Sequence, residues 1–316
     1  MQHHPLRIFS GSSNPKLAAD IASRLGVELG QIKLTRFKSG EIYVHYEESI
    51  RNCDVFLLQS LSHPINEMFV ELLVMIDAAK RASARTVNII VPYYGYARQE
   101  RKSAPREPIS AKMVADVLTT AGATRVITLD LHAAAIQGFF NIPVDHLTAL
   151  DLISGHLKLK GLVNPIVVSP DAGRASMAEK LASRLNSPFA IMIKTRPAHN
   201  ESAITHVIGE VEGRTPIIIE DLIDTGSTIV NVVESLKERG AGNSIVCATH
   251  GLFSDSALER LEHPDIDEVV ITDSIQLPAD HSKRFTVLSV APMLSQAVRI
   301  IVDGGSIDKL FVDAGI

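Results

Sequence analysis

The chain has 316 residues, room for two domains at ~150 residues each, and its 46% hydrophobic content is enough for sizeable cores. A formal net charge of -5 argues against wholesale nucleic-acid binding, and the two cysteines, Cys53 and Cys247, lie in or beside apolar runs and read as core thiols with no disulfide or zinc framework. No run approaches the ~18 apolar residues of a membrane helix, and Met1–Pro5 lacks a basic-then-apolar signal pattern, so a soluble cytoplasmic protein is the expectation.

Apolar strand-like runs alternate with helical patterns almost throughout. Strands are predicted at Leu6–Phe9, Val55–Gln59, Thr86–Val91 and Arg125–Leu129, with helices at Lys16–Leu25, Asn66–Ala82 and Ala111–Thr120 between them. The second half repeats the rhythm. Its strands are Ile166–Ser169, Phe189–Ile193, Pro216–Glu220, Ser244–Thr249 and Glu268–Thr272. Its helices are Ala175–Leu185, Ser227–Arg239, Asp255–Leu261 and Pro292–Val302. Short, continuously apolar strands between helices indicate α/β architecture with parallel sheets covered on both faces. The two similar halves point to duplication, with a boundary near Ala149–Asp151. Ligands in such sheets lie at the carboxyl ends of strands. Asp130, His132, Asp171, Lys194, Arg196, Glu220 and Asp221 all fall there.

The segment Pro216–Thr228 carries the most chemistry. An apolar run ends at Glu220-Asp221. Asp224-Thr225-Gly226-Ser227-Thr228 then leads into a helical pattern. Free N–H groups and hydroxyls at a helix N-terminus favour an anion. The acid pair before them can grip sugar hydroxyls or a metal-bound ligand, so a sugar phosphate suits the segment. The same residues also serve as an ordinary helix cap. Two adjacent acids at a buried position are costly without a partner, which weighs toward function.

Earlier, Arg98–Pro108 carries the cations Arg98, Arg101, Lys102 and Arg106. It is either a solvated loop or a polyphosphate clamp, since arginine matches phosphate oxygens bidentately. His132 follows Asp130 at a strand end and pairs with Asp171 in the other half as a candidate Mg²⁺ site. Mg²⁺ takes one or two protein ligands plus waters and phosphates. Ser169–Arg174 is a second strand–turn–helix junction, readable as a cap or as a diphosphate seat. The chain has neither a Gly-x-x-x-x-Gly-Lys-Ser/Thr nor a Gly-x-Gly-x-x-Gly motif, which disfavours P-loop and Rossmann nucleotide binding.

Together and in order, these segments resemble the ribose-phosphate pyrophosphokinase (phosphoribosyl-pyrophosphate synthetase) family. The resemblance runs through Phe37–Glu41, Gln59–Ser83, Tyr93–Lys102, Asp130–Ala133 with Gln137–Phe140, Ser169–Asp171, Lys194–Pro197, Gly209–Thr228 and Ala248–His250. It implies two tandem phosphoribosyltransferase-like domains, residues 1–149 and 150–316, each a mainly parallel sheet flanked by helices. It implies Mg²⁺-dependent transfer of diphosphate from ATP to the 1-hydroxyl of ribose 5-phosphate, giving phosphoribosyl pyrophosphate and AMP, in a homo-oligomer, a hexamer by analogy.

By matching position, Asp224, Thr225, Gly226, Ser227 and Thr228 would hold the 5-phosphate and Glu220 with Asp221 the ribose hydroxyls. His132 and Asp171 would organise Mg²⁺. Arg98, Gln99 and Arg101 would bind ATP, with Phe37 and Glu41 reaching adenine from a neighbouring subunit. Lys194 and Arg196 would stabilise charge on the transferring phosphates.

The chain departs from the family pattern at named positions. Glu220 replaces an Asp, Arg174 takes the place of a second glycine after Asp171, Ser39 stands where Asp or Asn is common, and Asp308 falls where a regulatory Ser is usual. The altered Asp171 turn leaves open a second reading, a non-catalytic relative that regulates an active synthetase.

Overall fold

The computed structural model describes residues 4–195, 204–278, 281–307 and 310. The chain forms two compact units. One comprises Met1–Thr148 with Ser274–Gln276 and Ser289–Ile316, the other Ala149–Asp273 with Leu277–Leu288.

The first unit contains β1 (Leu6–Ser10), α1 (Pro15–Leu25), β2 (Ile32–Arg36), β3 (Ile42–Tyr46), β4 (Asp54–Leu58), α2 (Ile65–Arg81), β5 (Thr86–Val91), α3 (Ser110–Ala121), β6 (Arg125–Leu129) and β7 (Val144–Leu147). Its parallel sheet has the order β1-β4-β5-β6-β7. Every residue of β4 is buried, the signature of a central strand covered on both faces. α1 shows why the local sequence folds as it does. Asn14 caps it by accepting the Leu17 N–H at 3.2 Å, Pro15 stands at its first position, and Gly26 ends it at φ 72°.

β2 and β3 form an antiparallel hairpin. Its inward Val44 and Tyr46 join the core, and the Tyr46 hydroxyl donates to the Met75 carbonyl of α2 at 2.8 Å. Neither hairpin strand nor β7 is among the predicted elements. In the hairpin, alternating exposed residues break the apolar runs into single positions, and in β7 Asp145 and His146 separate Val144 from Leu147, so the run-based signal that finds buried strands does not reach them.

The second unit contains α4 (Leu150–Leu159), β8 (Pro165–Ser169), a 3₁₀ turn at Ala172–Arg174, α5 (Ala175–Leu185), β9 (Phe189–Thr195), β10 (Ile204–Ile208), β11 (Thr215–Ile223), α6 (Ser227–Glu238), β12 (Ser244–Gly251), α7 (Ala257–Arg260), β13 (Ile266–Thr272) and β14 (Phe285–Leu288). The sheet order is β10-β9-β8-β11-β12-β13-β14, parallel except for β10 on the β9 edge. Successive strand residues face opposite ways. Val168, Ile218 and Val246 pack with Ile229, Val233 and Leu236 of α6, whereas Val167, Ile217 and Cys247 pack with Ile153 of α4 and Leu181 of α5. Both faces are thus apolar, which is why these strands read as continuous hydrophobic runs.

α8 (Ala291–Val302) returns to the first unit, where it packs on α1, and the Arg299 guanidinium donates to the Arg24 carbonyl at 3.2 Å. Several element boundaries differ from the sequence expectation by one to three residues, among them those of α7 and β11. α7 spans only Ala257–Arg260, shorter than Asp255–Leu261. β11 runs to Ile223, past the expected end at Glu220. Its pairing with β8 stops at Ile218, but β12 carries it on through Glu220↔Ala248, Leu222↔His250 and Ile223↔Gly251. The acid pair therefore lies inside a strand that has outrun one neighbour. No helix among the described residues is long and apolar enough to cross a membrane.

Candidate active site

In the second unit the chemistry gathers at the carboxyl ends of β8, β9 and β11, with β8 the shared neighbour of the other two. Asp171 follows β8 and caps the 3₁₀ turn, its Oδ1 accepting the Arg174 N–H at 3.1 Å. The Ser169 hydroxyl donates to the Asp171 carbonyl at 2.6 Å and holds the turn from below. From the end of this turn the Arg174 side chain reaches β11. Its Nε lies 2.9 Å from Asp221 Oδ1 and 3.4 Å from Glu220 Oε2. All three side chains are largely buried, with 17% of Arg174, 13% of Glu220 and 7% of Asp221 exposed.

This geometry answers the cost of two adjacent buried acids: one guanidinium faces both. The compensation is uneven. Burial, then the neighbouring Asp221 charge, push the Glu220 carboxyl up to about 8, and Arg174 offsets only part of this. The closer contact to Asp221 explains the imbalance. This upward shift favours the protonated form of Glu220, which can donate as well as accept a hydrogen bond.

β11 gives way to α6 through Asp224, Thr225 and Gly226. Gly226 stands at the N-cap with φ 74°, a left-handed conformation that glycine adopts without strain. A Cβ there would meet nothing closer than 3.6 Å, so the backbone angle and not space calls for glycine. Gly226 has no side chain to cap the helix, so the first turn of α6 depends on other acceptors. Ser227 and Thr228 are exposed there, and the Thr225 hydroxyl lies 3.5 Å from that of Ser227. Lys194 is the penultimate residue of β9, its backbone opposite Thr205 of β10. Arg196 lies outside the described residues.

In the first unit Arg98, Gln99 and Arg101 follow β5, and His132 follows the adjacent β6. The three ATP-assigned side chains are exposed. Arg101 pairs loosely with Glu100 at 3.4 Å. Glu107 shapes the loop by accepting the N–H groups of Ser103 and Ala104 at 2.7 and 2.9 Å. Just before His132 the Leu131 N–H donates to His146 Nε2 at 2.9 Å. Among the described residues no three His, Cys, Asp or Glu side chains gather as a metal cage.

Phe37 and Glu41 flank the turn of the β2–β3 hairpin. Phe37 is 56% exposed and meets Tyr43 edge to face, with centroids 5.5 Å apart. The Ser39 hydroxyl donates to Glu41 Oε2 at 2.6 Å and orients that carboxylate. Elsewhere in the first unit Arg51 donates to the Ser83 hydroxyl at 3.3 Å and Arg81 pairs with Asp77, while Asp308, at the position of the regulatory Ser, lies outside the described residues.

Sequence reasoning treated Arg174 as a disturbance of the Asp171 turn and missed it as the counter-ion of the acid pair. A usable signal existed: a cation just after one expected strand and two adjacent acids at the expected end of another, in one unit.

A domain described as the N-terminal domain of ribose phosphate pyrophosphokinase matches residues 6–122, and a phosphoribosyl synthetase-associated domain matches residues 173–312. The ribose-phosphate pyrophosphokinase of Bacillus cereus is 50% identical over 307 residues, 97% of each chain. That of Corynebacterium ammoniagenes is 49% identical over the same share. The crystal structure of phosphoribosylpyrophosphate synthetase from Mycobacterium smegmatis superposes with a TM-score of 0.91 at 43% identity, covering 95% of this chain and 100% of that one. With similarity of this strength over almost its full length, the chain is an enzyme and belongs to the ribose-phosphate pyrophosphokinase family.

Proposed function

We propose that the enzyme transfers the diphosphoryl group of ATP to the 1-hydroxyl of ribose 5-phosphate, giving phosphoribosyl pyrophosphate and AMP, with Mg²⁺ as cofactor. The observation that supports this most is the β11–α6 junction, in a chain 50% identical to a ribose-phosphate pyrophosphokinase. There a buried acid pair is followed by a helix N-terminus with a glycine cap. In this reading Asp224, Thr225, Gly226, Ser227 and Thr228 take the 5-phosphate through N–H groups and hydroxyls, and Glu220 and Asp221 take the ribose hydroxyls. Arg98, Gln99 and Arg101 bind the ATP phosphates, and Phe37 and Glu41 bind adenine. Lys194 and Arg196 meet the negative charge that develops on the transferring group.

The 1-oxygen of the sugar attacks the β-phosphorus. The bond from that phosphorus to the oxygen bridging the α-phosphate breaks, AMP departs with the bridging oxygen, and the hydroxyl proton passes to solvent. Little covalent work falls to the protein, so positioning and electrostatics supply the catalysis. Mg²⁺, when bound, neutralises phosphate charge. Asp171 and His132, each at a strand end of its own unit, are the residues assigned to it, His132 through water. The donor chemistry fits, since Asp171 offers an exposed carboxylate and Mg²⁺ needs only one or two protein oxygens. In this reading Phe37 and Glu41 serve a neighbouring copy, so the enzyme works as a homo-oligomer; a single-chain mass in mass photometry would refute that.

The test is AMP release from ATP with no nucleobase present. The expected result is AMP and phosphoribosyl pyrophosphate in equal amounts, requiring both ribose 5-phosphate and Mg²⁺. AMP formation that ignores ribose 5-phosphate, or none at all, overturns the reading. Parallel runs with GTP and CTP read the base preference.

A further inference from the structure

We propose that Arg174 is the positioning residue of the sugar grip: its guanidinium fixes the Glu220 and Asp221 carboxyl groups and supplies the positive charge that lets an anionic sugar phosphate approach them. The inference rests on the function proposed above and deepens it.

Three observations carry it. The first is anchoring. The Arg174 backbone is held by the Asp171 side chain at 3.1 Å, in a turn that Ser169 also ties down. An arginine fixed at its root loses less freedom when its head is used. The second is aim. The side chain leaves the turn that follows β8 and meets β11 beyond the point where the β8–β11 ladder stops, between Ile218 and the α6 loop. Its Nε reaches Asp221 at 2.9 Å and Glu220 at 3.4 Å, so one group sets the direction of both acids.

The third is charge. Arg174 faces Glu220 and Asp221 together, and the charges of Asp221 and Asp171 act on Glu220 against the opposing field of Arg174. A sugar phosphate would bring further negative charge to that place. Like charges at such distances repel strongly in a partly buried setting. Removing the guanidinium takes away the 2.9 Å contact that directs the Asp221 carboxylate and the positive charge beside it, which weakens its aim at a sugar hydroxyl. Asp171 keeps its own contact, because that bond is donated by the Arg174 backbone N–H, which Met and Lys also supply.

The experiment uses the full-length enzyme with Arg174→Met and Arg174→Lys, varying ribose 5-phosphate, ATP and Mg²⁺ in separate initial-rate series. Arg174→Met is expected to raise KM for ribose 5-phosphate by about 10-fold or more, the loss of one good positioned contact. KM for ATP and the Mg²⁺ half-saturation are expected to stay within about twofold, and kcat to change less than the sugar KM. Arg174→Lys, which keeps the charge without the planar fork, is expected to fall between wild type and Arg174→Met.

Adding Asp221→Asn to Arg174→Met is expected to raise the sugar KM no further than Asp221→Asn alone, because the arginine acts through that acid. An unchanged sugar KM in Arg174→Met overturns the proposal. So does a lower one, which would make the guanidinium an obstruction. If Arg174→Met does not fold, Arg174→Lys alone decides, and a wild-type sugar KM there counts against the idea. Absence of ribose 5-phosphate-dependent AMP from the wild type would instead sink the functional reading, which keeps the two failures apart.

Discussion

Arg174 Nε stands 2.9 Å from Asp221 Oδ1, which joins the turn after β8 to the last part of β11 by a largely buried ion pair. The residue that breaks the small-residue pattern of that turn is the counter-ion of an acid on the neighbouring strand. Glu220, farther away at 3.4 Å, receives only part of the same charge.

That unequal sharing has a consequence for stability. The Glu220 carboxyl is raised from 4.5 to about 8, chiefly by burial and then by Asp221. Between these values the folded protein holds a proton that the unfolded chain has lost, so stability falls as pH rises through the window and levels off above about 8. Glu220→Gln mimics the protonated form. In metal-free buffer it is expected to match wild type near pH 5 and to exceed it by up to ~4 kcal/mol above pH 8. Urea unfolding across that range reads the difference; parallel wild-type and Glu220→Gln curves would contradict it.

Ser227 is exposed at the start of α6, so its removal leaves folding almost untouched, within ~0.5 kcal/mol. Under the proposed function its hydroxyl meets a charged phosphate, a contact worth about 1.5–3 kcal/mol. Ser227→Ala is therefore expected to raise KM for ribose 5-phosphate roughly 10-fold or more while Tm stays put. A fall in Tm with an unchanged KM would assign the hydroxyl to helix capping instead.

Glu41 is oriented by the Ser39 hydroxyl at 2.6 Å on an exposed hairpin. If that carboxylate reads the adenine amino group, Glu41→Ala is expected to raise KM for ATP by ~10-fold and to shrink the preference of ATP over GTP. Release of AMP and GMP under matched conditions measures both. A variant that keeps the wild-type ratio would remove Glu41 from base recognition.

Far from the site, Glu268 ties β13 to its surroundings. It pairs with Lys160 at 2.8 Å and His156 at 3.2 Å, and accepts the Thr286 hydroxyl at 2.5 Å. Burial alone would raise this carboxyl, but the contacts from Lys160, Thr286 and His156 outweigh it and leave it below its ordinary value. Its stabilisation is thus fully present above the unfolded value near 4.5 and is lost as pH falls through the lower folded one. Glu268→Gln is expected to cost ~2 kcal/mol at pH 7, with the gap to wild type closing in acid. A gap that persists at low pH would point to packing and not charge.

Local sequence determined the alternation of buried strands and helices, because the central strands are apolar on both faces and the helices repeat at 3.6 residues. It also determined the glycine-capped junction at Asp224–Thr228, whose backbone angle only glycine adopts freely. The half-exposed hairpin strands escaped that reading, since their apolar residues come singly. α8 was legible as a helix, but its packing on α1 was not, for periodicity marks an apolar face and says nothing of what covers it. The partner of the acid pair was decided only by tertiary structure. β11 outruns β8 because β12 supports it on the other side, and the exposed flank meets the turn that carries Arg174. Strand order brings 174 and 221 together across 47 residues of chain, and an ion pair is set by that approach in space, not by spacing in sequence.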